Sequence, residues 1–295
     1  MLSGIFPPLP TPFKEDGALD LEALRANVEQ LNPTGLSGYL ALGSNSEAVH
    51  VTPDEASQVY ATVCTAAAPD KVVIGGTGQF STQATIEMTK RAADAGCAAA
   101  LIITPFYYKN SMTAEALRAH YHAIADVSPI PVMIYNVPAN TGFNITPNIV
   151  ADIAQHPNVI GMKDSAGNLP VFAQYLEAQS PTFRVLTGSG ATVVPAVQAG
   201  ASGAILAIGL YAGPAVRLMY DAARAGRVAE AAAMQVRLAP IATDIGGAMG
   251  PAGIKAAMDL VGLHGGQPRS PLLPVTAEEL AIVRARLESA GVLPT

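Results

Sequence analysis

The sequence predicts an α/β protein built as a (β/α)8 barrel with a C-terminal helical extension, and three observations carry that prediction. Eight short apolar runs recur along the 295 residues, with starts roughly 20–35 residues apart, room for one crossover helix between parallel strands. The runs are continuously apolar rather than alternating, as expected of strands covered on both faces. The intervals between them carry apolar residues at helical spacing.

The candidate strands, in order, are Gly4–Phe6, Gly38–Leu42, Val72–Gly75, Ala99–Ile103, Val132–Asn136, Ile160–Lys163, Arg184–Thr187 and Ala204–Ile208. Between the first two, "LDLEALRANVEQL" places Leu19, Leu21, Leu24, Val28 and Leu31 on one helical stripe. "TQATIEMTKRAADAG" closes on a glycine stop, and "TPNIVADIAQHPN" opens on a threonine cap followed by proline. Eight strand–helix units suggest the TIM-barrel architecture, although a doubly wound open sheet gives a similar string. After Ile208 the rhythm changes: "AGPAVRLMYDAARAGRVAEAAAMQVRLAPI", "GPAGIKAAMDLVGL" and "TAEELAIVRARLESAG" read as successive helices without strands between them. The expected division is therefore a barrel over residues 1–225 and a helical extension packed on it over 226–295.

Half of the residues are apolar and 14% are charged, enough for a large core and unlike a disordered chain. The net charge of −6 comes without a basic cluster, which argues against nucleic acid or an anionic membrane as partner and favours a small molecule. No run reaches the ~18 apolar residues of a membrane span, and "MLSGIFPPLPTPF" lacks the basic start and apolar stretch of a secretory leader. A cytoplasmic location is expected. Cys64 and Cys97 are far apart in Ala-rich settings, without metal-ligand or disulfide-framework spacing, and read as inert buried thiols. "GGTGQ" at 75–79 lacks the spacing of a phosphate loop. His120 and His122 are two apart on a helical stretch, so they point to different faces rather than at one metal. No metal and no separate cofactor are expected.

In parallel barrels the chemistry sits where the strands end in their βα loops. Here the second strand is followed by "GSNSE", the fourth by "TPFYYKN", the fifth by "YNVPANTG", the sixth ends on Lys163 and the seventh leads into "TGSG". A lysine behind an apolar run is desolvated, and burial disfavours its charged form. A neutral amine attacks a ketone to form a Schiff base, whose nitrogen then withdraws electrons from the adjacent carbon. The bland alternative is a lysine that snorkels to the rim or pairs with Asp164. Tyr135 ends the neighbouring strand, where a phenol can relay protons. "GSNSE" brings two hydroxyls, an amide and turn N–H groups suited to a carboxylate. Glu47, within it, reads as a residue that pins its own turn.

Taken together, "GSNSE", "GTGQFSTQAT", "TPFYYK", "YNVPANTG" and "GMKDSAGN", in this order, resemble the dihydrodipicolinate synthase / N-acetylneuraminate lyase family of class I, pyruvate-using aldolases. The resemblance spans essentially the whole chain. Within the family, "STQATIEMT", "SPIPVMIYNVPANTG", "QHPNVIGMKDSAGN" and "GPAGIKAAMD" are most similar to 4-hydroxy-2-oxoglutarate aldolase. The resemblance implies that Lys163 is the Schiff-base lysine and Tyr135 the proton relay. It implies that Ser44 and Asn45 hold the carboxylate of pyruvate, and that Gly188 and Ile205 line the pocket. It implies further that Tyr107, with Tyr108 as rival, reaches across a subunit interface into a neighbouring site, in a homotetramer or dimer of dimers.

Two departures bear on the second substrate, an aldehyde. Dihydrodipicolinate synthases usually carry S-R-T-G where this chain has Ala139-Asn140-Thr141-Gly142, and that arginine binds the carboxylate of the aldehyde. Asn140 takes its place as the candidate contact without offering the charge. Ser46 stands where the family usually has glycine, a strained choice if that position needs φ > 0. The sequence-based expectation is a lyase that cleaves 4-hydroxy-2-oxoglutarate to pyruvate and glyoxylate. Its rivals are dihydrodipicolinate synthase, another keto-acid lyase or dehydratase of the family, and a non-catalytic barrel that binds pyruvate without turnover.

Overall fold

The computed structural model describes residues 2–294. Eight strands form one parallel sheet: β1 (Gly4–Ile5), β2 (Gly38–Ala41), β3 (Val72–Gly76), β4 (Ala99–Ile103), β5 (Val132–Asn136), β6 (Val159–Asp164), β7 (Arg184–Thr187) and β8 (Gly203–Ala204). Their order, β1-β8-β7-β6-β5-β4-β3-β2, leaves β1 and β2 as the two ends. Those ends are drawn together by backbone bonds from Leu40 N to Pro7 O and from Leu9 N to Leu40 O, both 2.9 Å, so the sheet curls into a nearly closed barrel.

Helices α1 (Leu21–Leu31), α2 (Pro53–Ala66), α3 (Thr82–Asp94), α4 (Ala114–Val127), α5 (Pro138–Thr141), α6 (Pro147–Ile153), α7 (Leu169–Leu176), α8 (Val193–Ala199), α9 (Ile208–Tyr211) and α10 (Gly213–Arg224) follow the strands in turn. Side-chain oxygens start several of them. Asp20, Ser81 and Thr113 each accept from a backbone N–H of the first turn, and Thr52 and Glu55 cap one another reciprocally. Three further helices, α11 (Val228–Ile241), α12 (Gly250–Leu260) and α13 (Ala277–Ser289), complete the chain.

The continuous apolar runs are explained by two cores. Leu40, Ile74, Leu101, Met133 and Leu186 fill the barrel, while their neighbours Tyr39, Val73, Ile102, Ile134 and Val185 pack outward against the helices. Each fully buried side chain of this size stabilises the fold by about 1.5–3 kcal/mol relative to exposure. The strict alternation also fixes parity at the strand ends: Tyr135 and Lys163 point inward, Asn136 and Asp164 outward.

The eighth strand differs from expectation. Only Gly203–Ala204 is extended; Ile205 still bonds to β7, through its N–H to Thr187 O at 2.9 Å, and the chain then turns into α9. Leu206, Ile208, Leu210 and Tyr211 are all buried, and a short, wholly buried apolar run has the same appearance in a strand and in a helix. A second departure follows α11, where Pro240 lies inside the helix and residues Ala242–Gly247 continue as a wider π-helical turn. The two cysteines, distant in sequence, are free thiols with Sγ atoms 3.7 Å apart. Among the described residues no helix is long and apolar enough to cross a membrane.

The two histidines of α4 diverge as their spacing requires. His120 is buried, with Nδ1 2.9 Å from Thr82 Oγ1, whereas the His122 ring sits 5.2 Å from that of His156. Burial pushes the His120 ring down from 6.5 to about 4. Above pH 6.5 the ring is neutral in folded and unfolded chains alike; below it the unfolded chain gains a proton that the folded one refuses until about pH 4. The His120 contribution to stability should therefore be full above pH 6.5 and fall by about 3 kcal/mol on approaching pH 4, staying level below. Urea unfolding across this range checks the prediction: His120→Gln should remove that component of the slope, and an unchanged slope would refute it.

Candidate active site

A cavity of about 270 Å³ opens at the C-terminal ends of the strands. It gathers Ser44, Asn45, Tyr135, Asn140, Lys163, Gly188 and Ile205, seven of the eight residues singled out from the sequence, from the ends of five strands. The eighth, Tyr107, lies elsewhere. Tyr107 and Tyr108 follow β4 on the surface, each 72% exposed, stacked edge to face beside Phe80.

Lys163 is the centre of the arrangement. It is 4% exposed, and parallel pairing of β5 with β6 sets it directly opposite Tyr135. Its Nζ lies 4.2 Å from the centre of the Tyr135 ring. No carboxylate among the described residues stands within ion-pair distance of it. The alternative of a Lys163–Asp164 pair fails on strand parity, since the two side chains leave opposite faces of the sheet. Asp164 is instead held outside the barrel by Asn136 Nδ2 at 2.7 Å and Ala166 N at 3.3 Å, and its burial raises the carboxyl above the usual carboxylate range. Asn136 also donates to Asn144 Oδ1 at 2.7 Å and accepts from Ile145 N at 3.2 Å, which ties the ends of β5 and β6 to the loop beyond.

Gly188 provides the space. A Cβ at this position would stand 2.0 Å from Ser165 Oγ and 2.8 Å from Lys163 Cε, so any other residue would displace the lysine stem.

On the opposite wall, Ser44–Ser46 form one 3-10 turn after β2. Ser44 Oγ is 3.3 Å from the Tyr135 hydroxyl, which links the turn to the phenol and the phenol to the lysine. The strain anticipated at Ser46 falls elsewhere: among the described residues the positive φ values at non-glycine positions are at Leu42 (57°) and Glu47 (56°), one on each side of the turn. Ser46 is fully buried and unstrained, and it contributes hydrogen bonds that glycine lacks. Its Oγ accepts from Gly43 N at 3.1 Å and donates to Leu9 O.

The cavity has further walls that sequence reading missed. Ser165 lies two residues beyond Lys163, and Ser189, Tyr211 and Thr243 come from the loop after β7, from α9 and from the π-helical turn. Strand parity alone pointed to Ser165; nothing in the local pattern announced Thr243, which the C-terminal extension delivers. Beyond Tyr135 a second, more apolar cavity of about 450 Å³ runs past Leu42, Val49, Phe80 and Phe106 and shares Ser44, Tyr135 and Asn140 with the first. Among the described residues no three His, Cys, Asp or Glu side chains gather as a metal site.

Chemically, the arrangement offers one primary amine, an adjacent phenol, a hydroxyl–amide turn suited to an anion, and small polar groups at the rim. That set can capture a carbonyl compound covalently and move protons at the bond next to it.

Comparison with known proteins points the same way. The model of the dihydrodipicolinate synthetase family matches residues 1–290. The 4-hydroxy-tetrahydrodipicolinate synthase of an Exiguobacterium species is 36% identical over 289 residues, 98% of each chain. The enzyme of that name from Xanthomonas axonopodis pv. citri is 37% identical over 276 residues, 94% of this chain and 90% of the other. Among solved structures, the chloride-inhibited dihydrodipicolinate synthase from Acinetobacter baumannii, complexed with pyruvate, superposes with a TM-score of 0.94 at 30% identity, covering 99% of this chain and all of that one. The dihydrodipicolinate synthase of Thermotoga maritima gives 0.93 at 28%, with the same coverage.

The outward network carries its own expectation. Asn136→Leu should leave the Asp164 carboxyl buried without its main donor and lower the unfolding free energy in urea by about 2–4 kcal/mol. A loss below about 0.5 kcal/mol, the range of an ordinary surface substitution, would show that the network does not hold the strand ends.

Proposed function

This chain belongs to the dihydrodipicolinate synthetase family, and on that footing we propose that it works through a Schiff base between Lys163 and the ketone carbon of pyruvate. Members of the family are class I, pyruvate-dependent aldolases that make or break a carbon–carbon bond without a separate cofactor. The observation that carries the assignment of roles is the buried Lys163 amine, beside Tyr135 and without a carboxylate partner among the described residues.

The neutral amine adds to C2 of pyruvate, and loss of water gives the iminium. Tyr135 protonates the departing hydroxide, the phenolate so formed takes up a C3 proton to yield the enamine, and the enamine C3 then attacks the aldehyde carbon while the aldehyde oxygen takes that proton from the restored phenol. Hydrolysis of the resulting iminium returns the amine and releases the 4-hydroxy-2-oxo acid. Cleavage runs the same steps backwards. Ser44 and Asn45 hold the pyruvate carboxylate through side-chain and turn N–H groups, with Gly188 and Ile205 as walls. Tyr107 serves the cavity of a second copy of the chain, an assignment supported by its exposure next to Phe80 and its absence from the lining of its own Lys163 cavity.

For the aldehyde, the names of the relatives support aspartate semialdehyde, condensed toward 4-hydroxy-tetrahydrodipicolinate. This reading goes ahead of the 4-hydroxy-2-oxoglutarate cleavage that the sequence suggested. The second reading rests on Asn140 standing where dihydrodipicolinate synthases carry arginine: among the described residues Lys163 is the sole charged side chain lining the cavity, and the carboxylate of either aldehyde meets only amide and hydroxyl groups from Asn140, Ser165, Ser189 and Thr243. A guanidinium clamp for aspartate semialdehyde is missing from that wall.

Borohydride with pyruvate should add one reduced pyruvyl group to wild-type protein, located on Lys163 by peptide mass, and none to Lys163→Met; an unmodified wild-type chain contradicts the mechanism. Tyr135→Phe should lower kcat by about 10²- to 10⁴-fold, the usual contribution of a positioned acid–base group. A panel of pyruvate with aspartate semialdehyde, glyoxylate or N-acetylmannosamine, read by product mass, decides the acceptor. The first reading expects the highest kcat/KM with aspartate semialdehyde; a higher value with glyoxylate selects the second.

A further inference from the structure

The turn that carries Ser44 and Asn45 is tethered from an unexpected direction. Glu47 closes it through its N–H to Ser44 O at 3.2 Å, with a left-handed backbone that glutamate rarely adopts. Its side chain points away from the cavity and is 2% exposed. There it meets Lys255 of α12, 1% exposed and 208 residues later: Nζ to Oε1 is 2.6 Å. Nζ also donates to Gln267 O at 2.7 Å. The other carboxylate oxygen accepts from Arg269 N at 2.8 Å. The guanidinium of Arg269 bonds in turn to Gly17 O, His50 O and the Glu55 carboxylate, and both cations stand over the Phe13 ring, whose centre is 4.6 Å from Lys255 Nζ and 4.2 Å from the guanidinium carbon.

Stability alone does not account for such a pair. Replacing buried ions by apolar side chains of similar volume is often neutral or stabilising, because the desolvation of both charges offsets their attraction. What the pair does hold is one end of a segment whose two flanking residues, Leu42 and Glu47, are the non-glycine positions of positive φ among the described residues. Such strain persists only where the surroundings over-determine it.

We infer that Lys255 is a positioning residue for the carboxylate-binding turn, acting through Glu47, so that the C-terminal extension sets how tightly the keto acid is held. Lys255 touches no reacting atom. The inference rests on the proposed pyruvate site, and it predicts weaker keto-acid binding rather than slower chemistry once the site is filled.

The test uses full-length wild type, Lys255→Met and the double variant Glu47→Gln/Lys255→Met, which leaves no uncompensated charge and serves if the single variant does not fold. Two quantities are read: the pyruvate concentration that half-saturates borohydride trapping, and amide hydrogen exchange across residues 43–48 in the ligand-free protein. In a folded variant the half-saturating concentration should rise about tenfold, with trapping at saturation within about twofold of wild type, the pattern of lost ground-state binding. Exchange at the turn should be faster. A folded variant with unchanged half-saturation overturns the inference, and so does weaker binding with unchanged exchange. If wild type itself takes no adduct, the pyruvate reading fails instead, and unchanged exchange alone then overturns the tether.

Discussion

A single constraint organises the molecule: a lysine amine is kept inside a nearly closed barrel without a countercharge among the described residues. Desolvating an ammonium is costly, and a protein usually answers with a carboxylate partner. Here the neighbouring carboxylate, Asp164, leaves the sheet on the other face and is occupied by Asn136. Around Lys163 stand instead a phenol ring, a serine-bearing turn and a glycine whose missing side chain makes room for the lysine stem. Each of these depends on strand register. A slip of one residue in β6 would put Asp164 in the barrel and Lys163 among the helices.

Much of this was legible in the sequence, and the reason is periodicity. Continuous apolar runs separated by helical stretches gave the strand count, and the ends of those runs gave Lys163, Tyr135 and the Ser44–Asn45 turn. What escaped is what depends on distant parts of the chain. Nothing local in "GPAGIKAAMD" shows that Lys255 meets Glu47, and nothing near Thr243 shows that a π-helical turn carries it to the rim. The eighth run was misjudged because a short, fully buried apolar segment has no polar face to reveal its period. The strain assigned to Ser46 lies instead at Leu42 and Glu47; sequence marks a departure from a pattern but not where the backbone absorbs it. The contact between Cys64 and Cys97 belongs to the same class, since helix α2 and the start of β4 meet only once the barrel has formed.

The two halves of the cavity follow different physics. Around Lys163 the groups are buried or half-buried and set by strand ends, which suits a step common to the family. Toward the rim, Asn140, Ser165, Ser189 and Thr243 come from the loop segments after β5, β6 and β7 and from the extension, elements that can change without disturbing the barrel. That separation is why the proposed covalent step rests on named strand-end residues while the aldehyde is a contest between two acceptors. Asn140, where the guanidinium is missing, belongs to the rim half.

The most direct measurement is a crystal structure of the protein soaked with pyruvate alone. Continuous density should join Lys163 Nζ to the former ketone carbon, with the carboxylate against the turn at Ser44 and Asn45 and the Tyr135 hydroxyl beside the new bond. Pyruvate lying in the cavity without a bond to that nitrogen, or bound covalently at a different lysine, would contradict the account.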